Sequence, residues 1–180
     1  MSFFDFLSTR KPAASAPAGD TETVRKIVDA LDAMDPERAR YLAAFAYILS
    51  RVARADLNIT AEESRAMERI VAEHGELPEE QAIIVMQIAK YQNLLFGATE
   101  NYLVTREFAA ISTHEQKLAL LDCLFSVAAA EHLISSAEDN EIRKVAREVG
   151  LEHHDFIAVR SRHREWLAVL QREESEKTQD

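Results

Sequence analysis

Residues Val52–Glu63 (VARADLNITAEE) return 75 positions later as Val127–Glu138 (VAAAEHLISSAE), aligned without a gap. Matched positions keep an acid (Asp56, Glu131), an isoleucine (Ile59, Ile134), a hydroxyl (Thr60, Ser135) and a glutamate (Glu63, Glu138). The same register runs on to Gly75 and Gly150. An echo at a fixed period is the mark of one supersecondary unit used twice. Each unit reads as helix, short acidic turn, helix, so the fold must accommodate two related helical units.

The rest of the chain agrees with a helical reading. Only four glycines and four prolines interrupt 180 residues, of which 47% are hydrophobic. So few turn residues favour long helices joined by short loops. No stretch alternates apolar and polar residues at period two, so no sheet is expected. The expected fold is all-α, a single-domain bundle of about seven to eight helices containing the two pseudo-repeated units.

Residues 1–19 read as a phenylalanine-rich start (Phe3, Phe4, Phe6) on a Pro/Ala/Ser-rich tether, residues 20–171 as the helical domain, and 172–180 as a solvated tail. The early phenylalanines have two destinations, the chain's own domain or a partner.

Helix signals subdivide the domain. Asp20 is placed to cap a helix to about Met34, and Asp35-Pro36-Glu37 opens a second to about Ala55. Thr60 starts a third, which Gly75 would close as a left-handed cap, and Pro78 opens a fourth to Gly97. A shorter helix covers about Glu100 to Ala110. Thr113 caps the next, to about Ala130, and its apolar residues face nearly every direction. Such a helix belongs at the centre of a bundle. Ser135 opens another to Gly150, and the last runs from about Glu152 to Gln171.

Charge and composition exclude several functions. Thirty-one acids against 21 bases give a net charge of −10, with no basic patch for nucleic acid and none for an anionic membrane surface. Metal cations and basic protein partners suit that charge better. No run approaches the roughly 20 apolar residues of a membrane span, and the N-terminus lacks the basic start of a signal peptide. A soluble cytoplasmic protein is expected. The single Cys123, in an apolar run, reads as a buried, inert thiol.

The repeated acids admit two readings. Thr60-Ala-Glu-Glu63 and Ser135-Ser-Ala-Glu138 both spell a capping box, which accounts for Glu63 and Glu138 without an ion. Asp56 and Glu131 are harder to account for. They sit near helix C-termini, where the macrodipole disfavours an anion by roughly 0.3–1 kcal/mol. Asp56 also shares a helix face with Phe45, Leu49 and Val52, as Glu131 does with Leu120, Leu124 and Val127.

If the units pack about a pseudo-twofold axis, the four carboxylates converge. They must then protonate, pair with arginine or bind a cation. Arg51, Arg54, Arg65 and Arg143 are near enough in sequence to pair with them. An all-oxygen set suits Ca²⁺, Mg²⁺ or Mn²⁺. The first turn is not an EF-hand, because Ala61 and Met67 stand where its glycine and bidentate glutamate belong.

Alanine then acid, a short turn, Ile, Ser/Thr, two residues and Glu resembles the TerB family of tellurite-resistance proteins and related domains of bacterial stress systems. Ala55-Asp56, Ile59-Thr60 and Glu63 carry the resemblance, with Ala130-Glu131, Ile134-Ser135 and Glu138, across roughly Pro36 to Arg160. Where the family commonly has Asp-Gly, this chain has Asp56-Leu57-Asn58 and Glu131-His132. Asn58 tolerates the left-handed conformation that such a turn needs.

The resemblance implies two related helical units and an acidic metal site at Asp56, Glu63, Glu131 and Glu138. It also implies a part in tellurite and chemical-stress responses, with membrane-associated protein partners. The alternative is a helical adaptor whose acids only cap helices.

Other chemistry finds little support. No HExxH or Glu-x-x-His is present, so His153, His154 and His163 are expected to be solvated. Asp122, alone among apolar residues, is expected at an exposed edge. Arg160, Arg162 and Arg164 are expected to form salt bridges to the acidic body. No nucleophile constellation or phosphate loop appears, so a non-enzymatic protein is expected.

Overall fold

The computed structural model describes residues 18–52, 61–91, 101–131 and 133–169. Among them are eight α-helices: α1 Ala18–Asp32, α2 Pro36–Val52, α3 Ala61–His74, α4 Glu79–Lys90, α5 Asn101–Ile111, α6 His114–Glu131, α7 Ser136–Glu148 and α8 His153–Arg162. A 3₁₀ turn follows at Arg164–Trp166. No strand occurs among the described residues, and one isolated parallel bridge joins Ile134 to Leu167. The fold is all-α, as expected.

Local signals set several of the helix starts. Asp35 Oδ1 accepts from the backbone N–H groups of Glu37 (3.0 Å) and Arg38 (3.1 Å), capping α2 ahead of Pro36. Thr113 Oγ1 accepts from Gln116 N–H (3.3 Å) while Gln116 Oε1 accepts from Thr113 N–H (2.8 Å), a capping box at α6. Helix α1 already begins at Ala18, two residues before the expected start at Asp20. Thr60 lies outside the described residues.

Two helices occupy the centre. On α6, Leu120, Leu121, Cys123, Leu124, Phe125 and Val127 are all buried. On α2 every residue from Tyr41 to Leu49 is buried, where a helix packed on one face alone would bury only a stripe. The alanines at 43, 44 and 46 account for the difference. Small side chains let neighbouring helices approach α2 on the faces that its large residues leave. Cys123 is buried, and burial pushes its thiol well above its ordinary range, so it is inert.

The packing of the two units is reciprocal. The second helix of the first unit, α3, packs on the first helix of the second unit, α6. The second helix of the second unit, α7, packs in turn on α2, the first helix of the first, and α2 meets α6. A pseudo-twofold relation requires this exchange. The trailing helices follow suit, α4 packing on α2 and α3, and α8 on α6 and α7.

The repeat slips by one residue inside these units. Helix α3 has 14 residues and α7 has 13. Each ends in a Schellman closure, Leu77 N–H donating to Ala72 O (3.0 Å) and Leu151 N–H to Ala146 O (2.9 Å). The left-handed residues are therefore Glu76 (φ 51°) and Gly150 (φ 80°), so Gly75 and Gly150 are not equivalent. Gly75 answers a close approach instead. A Cβ there would lie 2.4 Å from Val71 O and 3.0 Å from Phe45 Cζ.

The C-terminal helix is also shorter than expected. Helix α8 stops at Arg162, because Trp166 O accepts from Ile134 N–H (2.6 Å) and Ala168 N–H donates to Ile134 O (3.1 Å). Those bonds need extended backbone at Leu167, which a continuing helix cannot supply. Residues beyond 169, including the expected tail, lie outside the described residues.

Candidate functional site

The repeated acids sit where helices start and stop. Glu131 is the last residue of α6, and Glu63 lies in the first turn of α3. The side chains of both, and the whole of Asp56, fall outside the described residues. Glu138, in the first turn of α7, is fully described. Its Oε2 accepts from Ser135 N–H (2.8 Å) and from Ser135 Oγ–H (2.6 Å). Ser135 Oγ in turn accepts from Glu138 N–H (3.3 Å). The expected capping box is formed, and both bonds to the carboxylate fall on one oxygen.

Arginines near the turns have other partners. Arg51, its side chain only 5% exposed, donates from Nε to Glu141 Oε1 (2.9 Å) and from Nη1 to Glu148 Oε2 (2.8 Å), and its Nη2 also meets Glu141. This fork ties the end of α2 to α7. Arg160 grips Asp139 bidentately (2.8 and 3.0 Å), joining α8 to α7. Arg143 Nη2 lies 3.9 Å from Asp139 Oδ2. Among the described residues none of these ion pairs reaches Glu138. Arg54 lies outside them.

One polar cluster has no counterpart in the sequence reading. His74 Nδ1 lies 2.7 Å from Asp122 Oδ2, and His163 Nε2 lies 2.9 Å from Asp122 Oδ1. An ionised carboxylate only accepts, so both facing nitrogens carry the proton. Arg162 Nη1 lies 3.8 Å from the same Oδ1. Burial pushes the Asp122 carboxyl up, but hydrogen bonds from His163 and His74 outweigh it, and the group ends below its ordinary value.

His163 is buried and stacks on Phe125, ring centroids 5.4 Å apart. The expectation of a solvated His163 and an exposed Asp122 is corrected. The two residues satisfy each other across 41 positions of sequence, a separation that no local pattern reports. His153 and His154 are exposed, as expected. Arg160 and Arg162 pair with acids of the body, also as expected.

Among the described residues, no three His, Cys, Asp or Glu side chains are arranged to hold a metal ion. Three of the four expected ligands have side chains outside that set. For the fourth, Glu138, the chemistry fits an oxygen-preferring cation, since its Oε1 stands clear of the capping box. No described helix is long and apolar enough to cross a membrane.

The family model for tellurite resistance protein TerB matches residues 41–161. The chain belongs to the TerB family. The match starts inside α2 and ends inside α8, so it takes in both reciprocal units. Helix α1 and the bridged segment after α8 lie outside the TerB match. No curated protein matches the chain, and no solved structure does.

Proposed function

We propose that this TerB-family chain is a non-enzymatic binding protein of a tellurite and chemical-stress response. It acts in the cytoplasm with protein partners, among them membrane-associated ones. It holds a divalent cation (Ca²⁺, Mg²⁺ or Mn²⁺) through Asp56, Glu63, Glu131 and Glu138. The observation that carries the reading is the reciprocal packing of α3 on α6 and of α7 on α2. Packing of that kind joins the two helical units whose sequences carry the repeated acids, which supports a site shared between them. The cation would supply charge neutralisation for carboxylates at the helix ends. The chain supplies all-oxygen ligands and, through Ser135, a fixed orientation for Glu138.

The capping box at Ser135 favours a second reading, in which the acids only cap helices of an adaptor. Thermal unfolding of the chelator-stripped protein with added Ca²⁺, Mg²⁺ or Mn²⁺ separates the two. A native-state ligand at 100 times its Kd adds roughly 2.7 kcal/mol. A saturable rise in Tm that disappears in Asp56→Asn and in Glu131→Gln supports the cation site. A Tm indifferent to all three ions leaves the adaptor.

A further inference from the structure

The two reciprocal contacts are tied unequally. Where α7 meets α2, the buried Arg51 reaches Glu141 and Glu148, and Arg160 holds Asp139 of the same helix to α8. Where α3 meets α6, one side-chain hydrogen bond joins the helices among the described residues. It runs from His74 to Asp122, and the His74 side chain is 34% exposed. Burial follows the same order. Among its described side chains α3 buries Met67 and Val71, whereas α7 buries Ile142, Val145 and Ala146 along with Asp139.

The repeat carries a second asymmetry. Arg51 immediately precedes the repeated stretch, and its counterpart 75 positions on is Ser126. Ser126 lies one turn after Asp122, so it shares the helix face that Asp122 turns toward α3. Its Oγ is buried and has no hydrogen-bond partner among the described residues. The position that locks α7 to α2 thus holds, in the other contact, a hydroxyl whose desolvation nothing offsets. Parting α3 from α6 would hydrate it.

We infer that α3 undocks from α6 as a local unit, short of global unfolding, and that His74–Asp122 is the latch that closes it. Local openings draw on elements with few buried apolar side chains and solvent-reachable hydrogen bonds, which describes α3. Helix α7, held by two bidentate arginines, stays in place. Glu63 rides in the first turn of α3, so the opening also withdraws it from any site it shares with the second unit. That consequence rests on the proposed cation site; the opening itself does not.

The test is amide hydrogen exchange of the full chain in chelator at pH 7, read by mass spectrometry on fragments covering α3 and α7. Protection factors in α3 should lie at least about tenfold below those in α7. His74→Ala should lower them about fivefold further, and Ser126→Ala should raise them about fivefold, with α7 unchanged in both. Equal protection of the two helices in the native chain overturns the proposal. So does faster α3 exchange in Ser126→Ala, which would give the hydroxyl a partner in the closed state. Variants that shift α3 and α7 together also overturn it, since the exchange then reports global unfolding. Repeating the measurement with added Ca²⁺, Mg²⁺ or Mn²⁺ separates the consequence from the opening. Slower α3 exchange places Glu63 in the cation site, and unchanged exchange removes it while the opening stands.

Discussion

His74 and Asp122 meet at 2.7 Å across the α3–α6 contact, and Asp122 extends the link to His163 at 2.9 Å. One half-buried carboxylate therefore fastens a helix of the first unit, a helix of the second and the turn after α8. Asp122→Ala leaves two imidazole donors without an acceptor, His163 buried among them. The expected loss is about 2–3 kcal/mol at pH 7, measured by urea unfolding. His74→Ala should cost less, because that side chain is 34% exposed and water replaces its partner.

The same carboxylate sets a pH dependence. Its folded value lies below the ordinary 3.8, held down by His163 and His74 against burial. A depressed carboxyl stabilises the fold above its unfolded value, and that stability is lost as pH falls through the lower folded value. The stability gap between the native chain and Asp122→Asn should thus shrink as pH falls below about 4. A gap unchanged down to pH 2 would show that Asp122 contributes no charge-dependent stability.

Gly75 and Gly150 look alike in sequence and should fail differently. Gly75→Ala forces a methyl to within 2.4 Å of Val71 O, a backbone atom, and should cost about 1–3 kcal/mol. Gly150→Ala meets nothing within 4 Å, but its φ of 80° should cost about 1–2 kcal/mol. Glu76→Gly, at φ 51°, should stabilise by up to about 1 kcal/mol. Guanidinium unfolding of the three variants checks the order and the sign.

What the sequence disclosed and what it hid divide by range. The caps at Asp35, Thr113 and Ser135 were legible because donor and acceptor lie within three residues of each other. The central place of α6 was legible from its unbroken apolar run. The Asp122 cluster and the Arg51 fork were not, since their partners stand 41 to 97 residues away. Nor was the end of α8, which the backbone of Ile134 decides. The one-residue slip escaped because a glycine satisfies both a close contact and a left-handed turn. Of the four repeated acids, only the Glu138 side chain can be compared with its expectation, and its capping role was read correctly.

Arg51 should be the most costly of the surface-distant ion pairs to remove. Its buried guanidinium serves Glu141 and Glu148 at once, so Arg51→Ala strands two partly buried carboxylates on α7. A loss of about 3 kcal/mol or more is expected. Arg51→Lys should recover only part of it, because an ammonium cannot span both acceptors as the planar fork does. Full recovery in the lysine variant, seen in the urea midpoint, would show that charge alone matters there.

Glu138 allows cap and ligand to be separated within one side chain. Its capping role needs an acceptor at Oε2, which an amide oxygen supplies equally well. This chain already demonstrates the substitution, since Gln116 Oε1 accepts from Thr113 N–H at 2.8 Å in the equivalent box of α6. Glu138→Gln should therefore change stability by less than about 0.5 kcal/mol in chelator. Ser135→Ala, which removes the hydroxyl, should cost about 1 kcal/mol. A cation site depends on the charge instead of the acceptor. Glu138→Gln should then reduce the cation-dependent rise in Tm while Ser135→Ala retains it. If both variants respond to added ions alike, Glu138 is a cap and nothing more, and the ligand set has lost its only fully described member.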